Sequence, residues 1–350
     1  MIKPNQTHFD HLKTYVNQVP SSSELRFTLT NTVKTLLQKN NHNLITSLKQ
    51  TPKPETFLDT LKTHPQTYQA SMSCQIAADL PPDIEQTSIK DELKDWFIKT
   101  ADFGDNSDRI LQHRDGEYTQ LLEDINRYQQ IFQEGCDKII LIRPPTYTGY
   151  DIQLAAAMQC LGYTPEQFQF IIVQPFKLHA LHKPTQKLHV IPDIAAEELI
   201  KSVGINALRW HSMRFPLTEA APLNISTAGQ PTPEDSFFRV QLAYVRCCNL
   251  LNEAKTELKS ASITEHNWNS SHTATLANQI KITPEVLQKS ADEVAPHLIC
   301  GHLEAISDSF HQWSNSSIQL TSENCALLSA TKQIIFDILE NIFKIELPST

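Results

Sequence analysis

Three histidines, His297, His302 and His311, lie within PHLICGHLEAISDSFHQW. Their spacings of 5 and 9 put no two at i and i+4 on a helix, so the pattern is not that of a helical zinc pair, and no metal is expected. The seven cysteines are scattered, Cys247 and Cys248 are adjacent, and no C-x-x-C occurs. That fits reduced thiols better than a disulfide framework. Neither Cys300 nor Cys325 stands in a nucleophile motif. FFRVQLAYVRCC offers different chemistry. On a helix, Arg239, Leu242 and Arg246 share one face, and Gln241, Tyr244 and Cys248 another. Guanidinium groups can hold phosphates and an exposed aromatic can stack an unpaired base. Arg239, Gln241, Tyr244, Arg246 and Trp313 are therefore candidate RNA contacts. In the competing reading Phe238, Leu242, Val245 and Leu250 form core, Tyr244 is half-buried, Trp313 is a core or rim aromatic, and the arginines are solvated or paired with acids.

The expected architecture is α/β followed by all-α. Residues 1–95 read as short helices, among them SSSELRFTLTNTVKTLL with serines suited to capping, and LPPDIEQTSIKDELKDWF. In residues 96–215, CDKIILIRPP and QFQFIIVQPF read as buried strands. YDIQLAAAMQCLGY between them reads as a helix stopped near Gly162, completing a βαβ unit of a parallel sheet. The turn PPTYTGY follows the first strand, at the sheet edge where ligands of open α/β sheets collect. KPTQKLHVIPDIAAEELIKSVGINALRW reads as a polar loop, a helix, a tight turn and a second helix. Residues 216–235 read as a linker, and 236–350 as a helical bundle.

The 350 residues carry a formal charge of −9, unevenly spread. Basic and acidic residues number 11 and 10 over 1–100, 11 and 17 over 101–235, and 8 and 12 over 236–350. A dedicated nucleic-acid binder usually shows a basic excess, so RNA binding would need a local basic face. Only 8 glycines occur, and the glycine-built phosphate cradles are absent. No cofactor is expected. No run reaches the roughly 18 apolar residues of a membrane span, and the N-terminus has no apolar signal region. The expectation is a cytoplasmic protein away from the membrane.

In order, DFGDNSDRIL, RDGEYTQLLEDINRY, LGYTPEQFQFIIVQ, EELIKSVGINALRW, FFRVQLAYVRCCNLL, VAPHLICGHLEAISDSFHQW and LLSATKQIIFDILENIF resemble the C-terminal half of arginyl-tRNA synthetase. GINALRW resembles the Asp-Ala-Leu-Arg-type motif of that family's anticodon-binding domain, with Asn206 at the acidic position. The resemblance covers about residues 100–350, and 1–95 only faintly resembles the accessory domain. It implies a class I catalytic domain of Rossmann type, here a truncated and degenerate remnant, then an anticodon-binding bundle. No His-x-Gly-His is found, which the resemblance would explain as a deletion. The Lys-Met-Ser-Lys-type loop falls on Gln186, Lys187, Leu188, His189 and Val190, a poor set of cations for steadying phosphate charge. The paired histidines fall on Tyr147 and Thr148, beside Gly149. The Tyr-x-x-x-Asp of the arginine pocket falls on Gln120 and Asp124; a carboxylate suits a guanidinium fork, whereas on the bland reading Asp124 faces solvent. The resemblance thus implies a catalytically inactive protein that binds tRNA or a tRNA-like RNA in a regulatory or presenting role. The alternatives are a scaffold for a protein partner, or a ligase subunit whose ATP site comes from a partner.

Overall fold

The computed structural model describes residues 22–30, 53–70, 94–182, 187–254, 271–315 and 321–348. The chain divides into two compact units, 45–172 and 1–44 with 173–350. The boundary thus falls at residue 172, directly after a strand, where the sequence suggested a break near 215. The first described helix, α1 (Ser22–Leu29), belongs to the second, discontinuous unit.

In the unit 45–172, α2 (Pro54–Leu61) precedes an antiparallel sheet of order β1-β2-β3: Thr67–Ala70, Asp95–Ile98 and Arg109–Gln112. This corrects the all-helical reading of residues 1–95. Asp95–Phe97 reads as the end of a helix, but Phe97 stacks on Tyr68 across the strand pair at 5.4 Å, and the next residue, Ile98, is fully buried. Long-range pairing overrides the local pattern. Helix α3 (Gln120–Gln133) begins at Thr119, whose hydroxyl accepts from the Leu122 amide. Its Leu121, Leu122, Ile125 and Tyr128 recur at helical spacing and are buried. Strand β4 (Ile139–Arg143), helix α4 (Thr148–Cys160) and strand β5 (Phe168–Ile172) form the expected βαβ unit, with Ile139 opposite Phe168 in parallel register. Gly162, at φ 90°, ends α4. Leu58, Ile98, Leu111, Leu122, Ile125, Leu154, Met158 and Phe168 share one core.

In the other unit, β6 (Phe176–His182) pairs antiparallel with β7 (Lys187–Val190). Helices α5 (Ala196–Val203) and α6 (Ile205–Met213) follow, joined at Gly204, φ 88°. Strand β8 (Ala221–Asn224) then runs parallel to β6, burying Ala221 and Leu223. The stretch 216–235, read as a linker, therefore contributes a strand, Ala221–Asn224, to this unit's sheet. Pro222 is tolerated because β8 is an edge strand. The bundle comprises α7 (Ser236–Ala254), α8 (Ser271–Lys281), α9 (Thr283–Asp292), α10 (Pro296–Asn315) and α11 (Ser322–Phe336), which continues as a π turn over Asp337–Ile342. Ile299, Cys300, Leu303, Ile306, Phe310 and Trp313 form the buried stripe of α10, against which α7, α8 and α9 pack. Among the described residues, no helix is long and apolar enough to cross a membrane.

Helix α1 buries Leu25 and Leu29 and is tied to the chain by Arg26. Arg26 is 0% exposed and donates to the carbonyls of Ser212 (3.0 Å), Gln174 (2.9 Å), Phe215 (3.0 Å), Pro216 (3.0 Å) and Glu219. All five guanidinium N–H groups are thereby engaged. Burial lowers its pKa to about 10, with Glu219 opposing. The charge is accommodated by carbonyl dipoles rather than by a bonded carboxylate.

Candidate functional site

The second helix of the GINALRW stretch, α6, is a hub. Trp210, fully buried, donates from Nε1 to Ser236 Oγ at 3.0 Å. His211 Nε2 lies 3.0 Å from Asp235 Oδ1, and both are buried. Asp235 also accepts from the amides of Gly229 (2.9 Å) and Phe237 (3.3 Å), capping the start of α7. Arg209 donates to the Lys344 carbonyl, and Arg214 Nε lies 2.5 Å from Glu304 Oε1. Through these bonds α6 fixes α7, α10 and the last described turn. A 260 Å³ cavity opens at the α5–α6 turn, lined by Gly204, Asn206, Gly229, Gln230, Phe238 and Gln241 among others. Gly229, at φ +75°, is required there, because a Cβ would lie 2.1 Å from the Val203 carbonyl oxygen.

The candidate RNA contacts on α7 do not form one surface. Arg239 and Arg246 both turn toward α10. Arg239 Nε lies 3.8 Å from Asp308 Oδ1. Arg246 donates to Asn315 Oδ1 at 3.3 Å from each terminal nitrogen, and its guanidinium lies over Phe310, 6.0 Å from the ring centroid. His311 bridges the two: Nε2 lies 3.0 Å from the Arg239 carbonyl, and Nδ1 lies 3.4 Å from Arg246 Nη1. That network needs a neutral ring with its proton on Nε2, and burial accordingly lowers the His311 pKa. Gln241 faces the cavity instead. Tyr244 is buried rather than half-buried, and burial beside Cys248 pushes its hydroxyl up to about 12. Trp313 is 2% exposed, so its ring is core and is not presented to a base. Phe238 and Leu242, expected in the core, are half-buried, while Phe237, Val240 and Ala243 take the core positions.

His302 and His311 serve separate bonds, His302 Nε2 lying 2.9 Å from Thr283 Oγ1. Burial raises the thiols of Cys247, Cys300 and Cys325, so these cysteines are poor nucleophiles.

The unit 45–172 holds a polar cluster. Asp124 does not face solvent: it is 7% exposed and accepts from Tyr150 OH at 2.6 Å and from Gln120 Nε2 at 3.4 Å. Burial and the Asp124 charge push the Tyr150 hydroxyl far up. Arg143, ending β4, lies 3.7 Å by Nε from Asp151 Oδ1 and 3.4 Å by Nη2 from Tyr128 OH. Its guanidinium sits 5.1 Å from the Tyr147 ring centroid. Tyr147 is 46% exposed and Thr148 donates to the Pro145 carbonyl at 2.7 Å. Gly149 has nothing within 4 Å of a built Cβ. Sequence reasoning singled out Gln120, Asp124, Tyr147, Thr148 and Gly149 here but missed Tyr128, Arg143, Tyr150 and Asp151. Tyr128 continues the i, i+4 stripe of Gln120 and Asp124, so that member was legible. Lys187 and His189 stand on the exposed strand β7 of the other unit, and Gln186 lies outside the described residues.

Comparison with known proteins explains this assembly. Residues 240–349, from α7 onward, match the family described as the DALR anticodon binding domain. The arginine–tRNA ligase of Oceanobacillus iheyensis is 27% identical over 253 residues, spanning 69% of this chain and 45% of that protein. The arginine–tRNA ligase of Azoarcus sp. is 27% identical over 248 residues, 69% of this chain and 41% of that one. This chain is similar to arginyl-tRNA synthetases over about two thirds of its length. The match spans less than half the length of those curated relatives. The fold agrees: arginyl-tRNA synthetase from Thermus thermophilus superposes with a TM-score of 0.59 at 12% identity, covering 92% of this chain and 59% of that one. In this synthetase-like chain α6 anchors the helices that match the anticodon-binding family to the rest of their unit.

Proposed function

We propose that this chain binds tRNA, an arginine tRNA or a tRNA-like RNA, through its C-terminal helices, without activating arginine on its own, in a regulatory or presenting role. The observation that carries this is the match of residues 240–349 to an anticodon-binding domain, whose described helices are well packed. Arg246, half-buried over the Phe310 ring and bonded at 3.3–3.4 Å to Asn315 and His311, is the group we assign to a phosphate. The loss of activation is supported by what stands in the chemical positions. Gln120 replaces an aromatic, and Lys187 and His189 lie on an exposed edge strand. A second reading, a docking scaffold for a protein, is favoured by Leu181, Leu188 and Val190, which are exposed together on the β6–β7 hairpin.

The test titrates the purified chain with total tRNA at rising salt and runs arginine-dependent ATP–pyrophosphate exchange on the same preparation. Binding that weakens with salt, without exchange, supports the proposal. Exchange activity, or no binding even at low salt, overturns it; the latter outcome favours the scaffold.

A further inference from the structure

Asp151 lies in the first turn of α4 and is 5% exposed, yet neither carboxylate oxygen has a hydrogen-bond partner. Burial raises its pKa, and Arg143 partly opposes this. A buried carboxylate without donors is costly unless a cation compensates it. The Arg143 guanidinium is that cation, but at 3.7 Å it is outside hydrogen-bond range of Asp151, and its contact with Tyr128 is long at 3.4 Å. It is therefore lodged beside the acid rather than forked onto it. On its other side stands the exposed ring of Tyr147. Asp124, the second buried carboxylate, acts on the same two hydroxyls as Arg143: the charges of both bear on Tyr128 and on Tyr150. A buried carboxylate, a tyrosine hydroxyl and an aromatic face all suit a guanidinium group. The guanidinium present is the chain's own.

We propose that Arg143 is an internal ligand of the buried Asp151 carboxylate, its guanidinium taking the place beside that acid and closing it to any free guanidinium compound. This rests on the reading that the unit 45–172 does not serve a free amino acid, and it is independent of RNA binding. No covalent step is involved; a side chain takes the place that a diffusing cation would occupy. Truncating Arg143 leaves the buried Asp151 carboxylate without its cation, on the side of the exposed Tyr147 ring.

The test is chemical rescue in the full chain. Thermal unfolding is followed for the wild type and for Arg143→Ala with L-arginine, with methylguanidinium, and with citrulline as the neutral isostere. At about 10 mM ligand, Arg143→Ala is expected to gain about 2 °C or more with the two cations and nothing with citrulline, while the wild type stays unmoved. Adding Asp151→Asn to Arg143→Ala should abolish the gain. An equal gain in the wild type, or a folded Arg143→Ala that no guanidinium compound stabilises, overturns the proposal. Should Arg143→Ala not fold alone, Arg143→Met keeps the aliphatic stem, and failure of the cations to restore cooperative unfolding in either variant equally overturns it. Total tRNA binding is measured alongside: its loss in the wild type strikes the RNA reading, whereas an arginine response of the wild type strikes only the inference about Arg143.

Discussion

Replacing Arg26 by lysine keeps the charge but removes the planar fork. Five carbonyls, of Gln174, Ser212, Phe215, Pro216 and Glu219, converge on the guanidinium. An ammonium has three donors at one point, so at least two of these carbonyls, in one buried and four part-buried bonds, lose their partner. Each orphaned group costs about 1–3 kcal/mol. Non-additivity and some relaxation make about 3 kcal/mol the expected total. At about 2–4 °C per kcal/mol for a unit of this size, the melting transition of the unit that carries the bundle should fall by roughly 6–12 °C. Urea unfolding should show a lower midpoint at unchanged slope. Lys62→Ala, removing an exposed pair with Asp59, is the control and should shift stability by less than about 0.5 kcal/mol. If Arg26→Lys melts within about 2 °C of the wild type, the carbonyl cage is not what holds α1, and the reasoning fails.

Three further outcomes are expected. Gly229→Ala places a Cβ 2.1 Å from the Val203 carbonyl at a positive φ, so urea unfolding should show a loss of more than about 2 kcal/mol; a near-neutral result would mean that the loop shifts freely. Burial lowers the pKa of His302 and, chiefly for the same reason, of His311. Between those folded values and the unfolded value of about 6.5 the unfolded chain binds more protons, so stability is present above about pH 6.5 and is lost as pH falls through the folded values. Melting should accordingly occur at lower temperature at pH 5.5 than at pH 7.5, by a margin that His302→Asn reduces; an unchanged margin would count against the buried histidines. Arg246→Ala should weaken tRNA binding and lower the slope of log affinity against log salt by about 1 without unfolding the chain; an unchanged slope removes Arg246 from the interface.

The β4–α4–β5 unit was legible because its strands are short Ile/Val runs closed by charge and proline, and because Gly162 supplies the helix stop. The bundle was legible from helical spacing alone, as the buried stripe of α10 illustrates. What escaped was set by distant partners. Asp95–Ile98 sits in a charged, helix-like context and becomes a strand only between β1 and β3. Ala221–Asn224 looks like linker until it pairs with Phe176–His179. The same holds for the polar cluster. Gln120 and Asp124 share a helix face by spacing, but the burial of Asp124 depends on Tyr150, which arrives from another helix. Arg143 carried no local signal, since its partners lie on α3, on α4 and in the turn before α4. Asp235 likewise reads as a polar loop residue until His211 and the start of α7 meet it.

The central claim is that the C-terminal helices hold the anticodon arm of a tRNA. The most direct test is competition: labelled total tRNA bound to the full chain is challenged with an isolated anticodon stem-loop of an arginine tRNA and, separately, with its acceptor-stem minihelix. Displacement by the stem-loop and not by the minihelix is the predicted result. Displacement by the minihelix alone, or by neither at concentrations where intact tRNA competes, would contradict the account.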